Sequence, residues 1–198
     1  MTVPHDLTAA AHAVSELVPG ISDGQLSDPT PCPKFTVSDL LFHLIGLSMG
    51  FRAAAQKDLG PLTATSPESM VPHLPADWRA QLPLRLGELA SAWQEPAAWQ
   101  GLTQVGGVDL PGTAAGQFGL NELVIHGWDL ARATGQDFDP GEASAGVSYH
   151  LLSSLADPAT RPPIFGPVVP VPSAAPLLDR TVGMSGRDPA WVRPKVKG

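Results

Sequence analysis

NELVIHGWDLARATG, residues 121–135, reads as one helix, and the rest of the chain is organised around it. Glu122 and His126 are four residues apart, so they share a face, one turn above the other. Asp129 and Ala133 continue that face. Gly135 stands where helices commonly turn left-handed and stop. A Glu and a His on an inward face are costly to bury unless something pairs with them. A divalent metal is one such partner. The alternative is an exposed Glu beside a hydrogen-bonded core histidine, and the stretch by itself does not separate the two.

The chain has 198 residues, enough for one domain with a substantial core. Hydrophobic residues make up 43% and charged residues 16%, a globular rather than a disordered balance. No apolar run has membrane-spanning length and no signal peptide opens the chain, so a cytoplasmic protein without a membrane partner is expected. The net charge of −7 argues against a nucleic-acid surface. The single cysteine, Cys32, excludes an internal disulfide and a Cys-rich zinc knuckle, so any metal must be held by His and carboxylate. With 22 prolines and 20 glycines, the helices should be joined by stiff, irregular connections.

Apolar periodicity predicts a first helix over Asp6–Val18, with Leu7, Ala10, Val14, Leu17 and Val18 inward and His12 outward. Pro19 and Gly20 stop it, and a loop follows to Phe35. Cys32, between Pro31 and Pro33, reads as a small packing residue. Thr36 and Asp39 form a capping-box pattern that opens a second helix over Thr36–Leu59. There Leu40, His43, Leu44, Leu47 and Phe51 share a face. His43 therefore needs partners for its ring nitrogens, from the core or from a metal. Residues 61–75 read as a linker, and His73 within it has no assigned role.

A third helix is expected over Asp77–Glu95, striped by Trp78, Leu82, Leu86, Leu89 and Trp93, with Pro83 kinking it or marking its start. Residues 99–110 are too glycine-rich for helix and suggest an extended or hairpin connection. The central helix then runs Thr113–Thr134, its Ala- and Gly-rich first half allowing another helix close. A fifth helix is expected over Asp139–Leu155, with Asp139 as N-cap and Pro140 in its first turn. It carries His150, of undetermined direction. Six prolines between Arg161 and Pro176 demand a strap across the bundle. A short helix at Leu177–Met184, a turn at residues 186–189 and a basic, mobile tail from Val192 to Gly198 complete the chain.

Three separated pieces resemble one family. TPCPKFTVSDLLFHL, NELVIHGWDLARATGQ and FGPVVPVPSAAPLLDRTVGMSGRDPAW are similar, in that order, to elements of the actinobacterial DinB-like metal-binding proteins. That family includes mycothiol-dependent maleylpyruvate isomerases and mycothiol S-transferases. Phe35 stands where its first element more usually has Trp. The resemblance implies an all-α fold: a single domain over 1–198, built as an antiparallel four-helix bundle with an extra C-terminal helix and the Pro-rich strap. Residues 177–198 would form a C-terminal extension. It also implies that His43, Glu122 and His126 together hold a divalent metal, with zinc the expected ion.

Three protein ligands leave zinc an open position, which can take water or a thiolate. The leading expectation is a metal-dependent isomerase or S-transferase that uses a low-molecular-weight thiol, mycothiol by resemblance, as nucleophile on a small electrophile. Asp129 could orient a ligand, or instead pair with Arg132 or a neighbouring helix. Two rivals stand beside this reading: a metal-dependent tailoring enzyme without a thiol, and a non-catalytic metal- or small-molecule-binding bundle. No arginine matches the isomerase's substrate-binding arginines, so no substrate is implied. A monomer or a homodimer is expected.

Overall fold

Thr36 accepts from the Asp39 backbone N–H at 3.2 Å while its own N–H donates to the Asp39 carboxylate at 3.0 Å. This reciprocal cap fixes where the helix carrying His43 begins. The computed structural model describes residues 4–65 and 72–194. Its helices are α1 (Thr8–Leu17), α2 (Val37–Gln56), α3 (Pro61–Ala64), α4 (Trp78–Trp93), α5 (Gly112–Thr134), α6 (Glu142–Ser154) and α7 (Leu177–Met184). The strands β1 (Leu102–Val105) and β2 (Val108–Pro111) pair antiparallel, with Leu102 opposite Pro111 and Val105 opposite Val108. Gly106 and Gly107 make the two-residue turn between them, both with positive φ (59° and 81°), as a right-twisted hairpin requires. Among the described residues the protein is thus mainly helical, as its periodicity predicts, with one small hairpin in the glycine-rich connection.

Helices α1 and α2 each pack against both α4 and α5. They therefore occupy opposite corners of the bundle. The core between them is aliphatic, with Val14, Leu40, Leu44, Leu82, Leu86, Leu89, Leu123 and Leu130 fully buried. Burying each such side chain stabilises by roughly 1.5–3 kcal/mol. Helix α6 packs on α5, and α7 on α6. Among the described residues no helix is long and apolar enough to cross a membrane.

Several boundaries differ from expectation for local reasons. Helix α2 stops at Gln56 because Lys57 turns left-handed (φ 58°). Part of the expected linker folds as the short α3, and its residues 66–71 lie outside the described residues, as do residues 195–198 of the expected tail. Helix α4 starts at Trp78 and runs through Pro83. The proline falls early in the helix, so it removes one backbone bond without ending it. Helix α6 begins at Glu142, capped by Gly141 at φ 83°; Asp139 instead accepts from the Gly141 N–H at 2.9 Å. The glycines of α5 admit aromatic rings. A Cβ at Gly116 would lie 2.4 Å from Trp99 and 2.8 Å from Trp93, and one at Gly119 would lie 3.0 Å from Phe51. Trp93 donates to the Phe51 carbonyl and Trp99 to that of Trp93, so both buried indoles are satisfied.

Candidate functional site

Helices α2 and α5 bring His43, Glu122 and His126 to one point. Their potential ligand atoms all lie within 4.8 Å of one another. His43 Nε2 is 3.3 Å and His126 Nε2 is 3.2 Å from the same oxygen, Glu122 Oε2. The two imidazoles stand nearly perpendicular, with centroids 4.9 Å apart. His126 is buried, whereas His43 and Glu122 keep an opening to solvent. The helical frame explains this placement. Leu40 and Leu44 flank His43, and Leu123, Ile125 and Leu130 flank the α5 residues, all of them buried and turning the polar set toward one face.

The loop before α2 supplies a wall. The Thr30 hydroxyl reaches the Phe35 carbonyl at 2.8 Å and accepts from the Cys32 N–H at 3.2 Å. Phe35 is thereby held with its ring centroid 5.1 Å from His43 and 6.2 Å from His126. Cys32 sits half-buried in the same loop. Burial and the negative charge of Asp129 push its thiol pKa up, against the opposing pull of Arg187. A raised pKa lowers the thiolate fraction near neutrality.

Behind His126 lies Asp129, whose side chain has no exposure. Its Oδ2 is 2.9 Å from His126 Nδ1. Arg187 closes the set with a two-pronged contact, Nε to Oδ1 at 3.0 Å and Nη2 to Oδ2 at 2.9 Å. Burial alone would raise the Asp129 carboxyl pKa, but the Arg187 charge and the His126 hydrogen bond hold it below the usual range. Burial would likewise raise that of Glu122, and the two imidazoles outweigh it. For His126, burial is outweighed by Asp129 and Glu122, and its pKa rises to about 9.

Asp129 thus pairs with Arg187 and not with Arg132, which is exposed and donates to the Pro189 carbonyl. The role of Arg187 escapes a reading by spacing, because it lies 58 residues from Asp129 in a segment that reads as a turn. The one available signal is that an inward-facing Asp requires a cation. The remaining histidines of interest stay apart from this group. His12 is exposed beside Glu16, and His73 and His150 are exposed. A surface groove of about 940 Å³ runs between α1 and the residues after α5 and includes none of the three converging side chains.

The family model described as the mycothiol maleylpyruvate isomerase N-terminal domain matches residues 7–131. An uncharacterized protein of Mycobacterium tuberculosis, found in strains CDC 1551 / Oshkosh and H37Rv, is 26% identical over 191 residues, spanning 90% of this chain and 93% of the relative. The crystal structure of the mycothiol-dependent maleylpyruvate isomerase superposes with a TM-score of 0.53 at 16% identity, over 78% of this chain and 76% of that one. A histidine-to-alanine mutant of that enzyme superposes with a TM-score of 0.51 at 17% identity, over the same shares. At such identity these structures establish the shared fold.

Proposed function

The chain belongs to the mycothiol maleylpyruvate isomerase N-terminal domain family, and from that premise we propose that it is a divalent-metal-dependent enzyme acting with a low-molecular-weight thiol of the mycothiol kind. The substrate class is a small electrophile. It leaves either rearranged, as an isomerase product, or joined to the thiol, as a transferase product. The observation that carries this reading is the convergence of His43, Glu122 and His126.

The residues fit a metal. Once metal binding displaces the Nε2 proton of His126, two imidazole nitrogens and one carboxylate form a donor set that suits zinc and leaves a fourth position open. The 3.3 and 3.2 Å separations from Glu122 Oε2 to the two Nε2 atoms are close to the edge, about 3.3–3.4 Å, of a tetrahedron with bonds of about 2.0–2.1 Å. Bound there, a divalent ion would favour a thiolate over a thiol, whose ordinary pKa is about 8.5.

The chain's own residues do the rest. His43, Glu122 and His126 would hold the ion, and Asp129 accepts a hydrogen bond from His126 Nδ1–H, so that Nε2 is left to face inward. Phe35 gives the opening an apolar wall that limits water beside the nucleophile. Cys32 lies outside the converging set, and burial and Asp129 push its thiol pKa up, both of which disfavour it as the nucleophile. This supports a thiol supplied from outside the chain.

The test is calorimetric titration of mycothiol into zinc-loaded protein and into His126→Ala. Binding that depends on the metal and is lost in the variant is expected. Equal binding in both, or none to the loaded protein, rejects the thiol step. Metal binding without thiol binding would favour the tailoring chemistry.

A further inference from the structure

His126 presents Nε2 to Glu122 at 3.2 Å on one side, and on the other its Nδ1 meets Asp129 at 2.9 Å. Asp129 is fully buried. A carboxylate buried there is bonded most strongly by a charged donor. Arg187 supplies the charge through two hydrogen bonds in the planar fork geometry that lysine cannot reproduce.

The position of Arg187 is itself built. Helix α7 ends with the Gly186 N–H donating to the Gly183 carbonyl at 3.1 Å and the Arg187 N–H to the Val182 carbonyl at 3.2 Å. This is a Schellman ending, with Gly186 left-handed at φ 92°. The Pro-rich strap is fastened to this ending. Arg161 donates to the carbonyls of Leu155, Gly166 and Met184, at 3.1, 2.7 and 2.6 Å, and the Val169 N–H donates to the Gly183 carbonyl at 2.9 Å. A Cβ on Gly186 would lie 2.8 Å from the Gly166 backbone. Strap, α7 and Arg187 are therefore fastened to one another by hydrogen bonds.

We propose that Arg187 and Asp129 are positioning residues for the metal site, so that docking of the chain's closing turn sets the aim of His126 Nε2 and completes the ligand set. This rests on the metal reading given above. It assigns the strap and α7 a purpose beyond covering apolar surface: they deliver one guanidinium to the back of one ligand. A plain structural ion pair would alter stability when broken but leave metal affinity and ligand geometry as they are.

The test uses the full chain, stripped of metal. Zinc affinity is measured by competition with a chromophoric chelator, and Co2+ loading by its visible absorption. Melting in chelator establishes which variants fold. Arg187→Met and Asp129→Asn should each weaken zinc binding by about 10–100-fold and shift the Co2+ spectrum. The double variant should bind within about twofold of Asp129→Asn alone, because Arg187 acts through Asp129. Arg187→Lys should lie between the native chain and Arg187→Met. Gly186→Ala, which displaces the turn, should weaken binding in the same direction. Folded Arg187 and Asp129 variants with native affinity and an unchanged spectrum overturn the inference while leaving the metal reading intact. Should Arg187→Met fail to fold, Arg187→Lys decides, with native affinity overturning the inference and weakened affinity supporting it. A native chain that binds no zinc overturns the metal reading and this inference together.

Discussion

Asp129→Ala should be among the most destabilising single changes in this protein, even with no metal present. The substitution removes the acceptor of three hydrogen bonds, one from His126 and two from Arg187. Hydrogen bonds to charged groups contribute about 1.5–3 kcal/mol each, so a simple sum would give roughly 4.5–9 kcal/mol. That sum is too high here, because the Arg187 side chain keeps 13% exposure and can recover some water contact. Stranding one partner of a buried pair costs about 3–5 kcal/mol, and we adopt that range. For a chain of this size it corresponds to a fall in Tm of about 10 °C, at about 2–4 °C per kcal/mol. The assay is urea and thermal denaturation in chelator, which removes any contribution from bound metal. The stranded charge can be isolated by adding Arg187→Met to an Asp129→Leu background, which should recover part of the loss. A loss below about 1 kcal/mol, or a double variant less stable than Asp129→Leu, would refute the reasoning.

Gly116→Ala should cost about 1–3 kcal/mol by overpacking against Trp93 and Trp99, read as a lower denaturation midpoint; unchanged stability would show that the rings yield freely. Thr36→Ala should cost about 1 kcal/mol through loss of the α2 cap, with a smaller loss for Thr36→Ser, measured the same way. Cys32 should be alkylated slowly by iodoacetamide near neutrality, because a raised pKa puts its thiolate on the alkaline side of an ordinary thiol. Arg187→Met, by removing a positive charge that favours the thiolate, should move that pH–rate profile further up; a profile at or below that of a free thiol would contradict the description of this loop.

Much of this was legible in the chain because the signals were local. Thr36 and Asp39 marked the start of α2 through a pattern spanning one turn, and Gly135 ends α5 left-handed at φ 74° as its position predicts. Helical spacing alone placed His43 among inward leucines, and Glu122 above His126. The failures share a cause. Asp139 and Pro140 look like a helix start, but the turn is made by Gly141, whose positive φ no side-chain pattern encodes. Lys57 ends α2 left-handed, a conformation unusual for lysine and invisible to periodicity. Asp129 had a nearer candidate partner in Arg132, three residues on. The actual partner depends on where the strap and α7 return to the bundle, which is tertiary information.

The central claim is that His43, Glu122 and His126 share one divalent ion. The direct measurement is zinc stoichiometry and affinity on chelator-stripped protein without a histidine tag, for the native chain and for His43→Ala, Glu122→Ala, His126→Ala and His12→Ala. The account predicts one zinc per native chain, near-complete loss in each of the first three variants, and native binding in His12→Ala, whose imidazole is exposed on α1. No zinc in the native chain, or native affinity in any of the three, would contradict it.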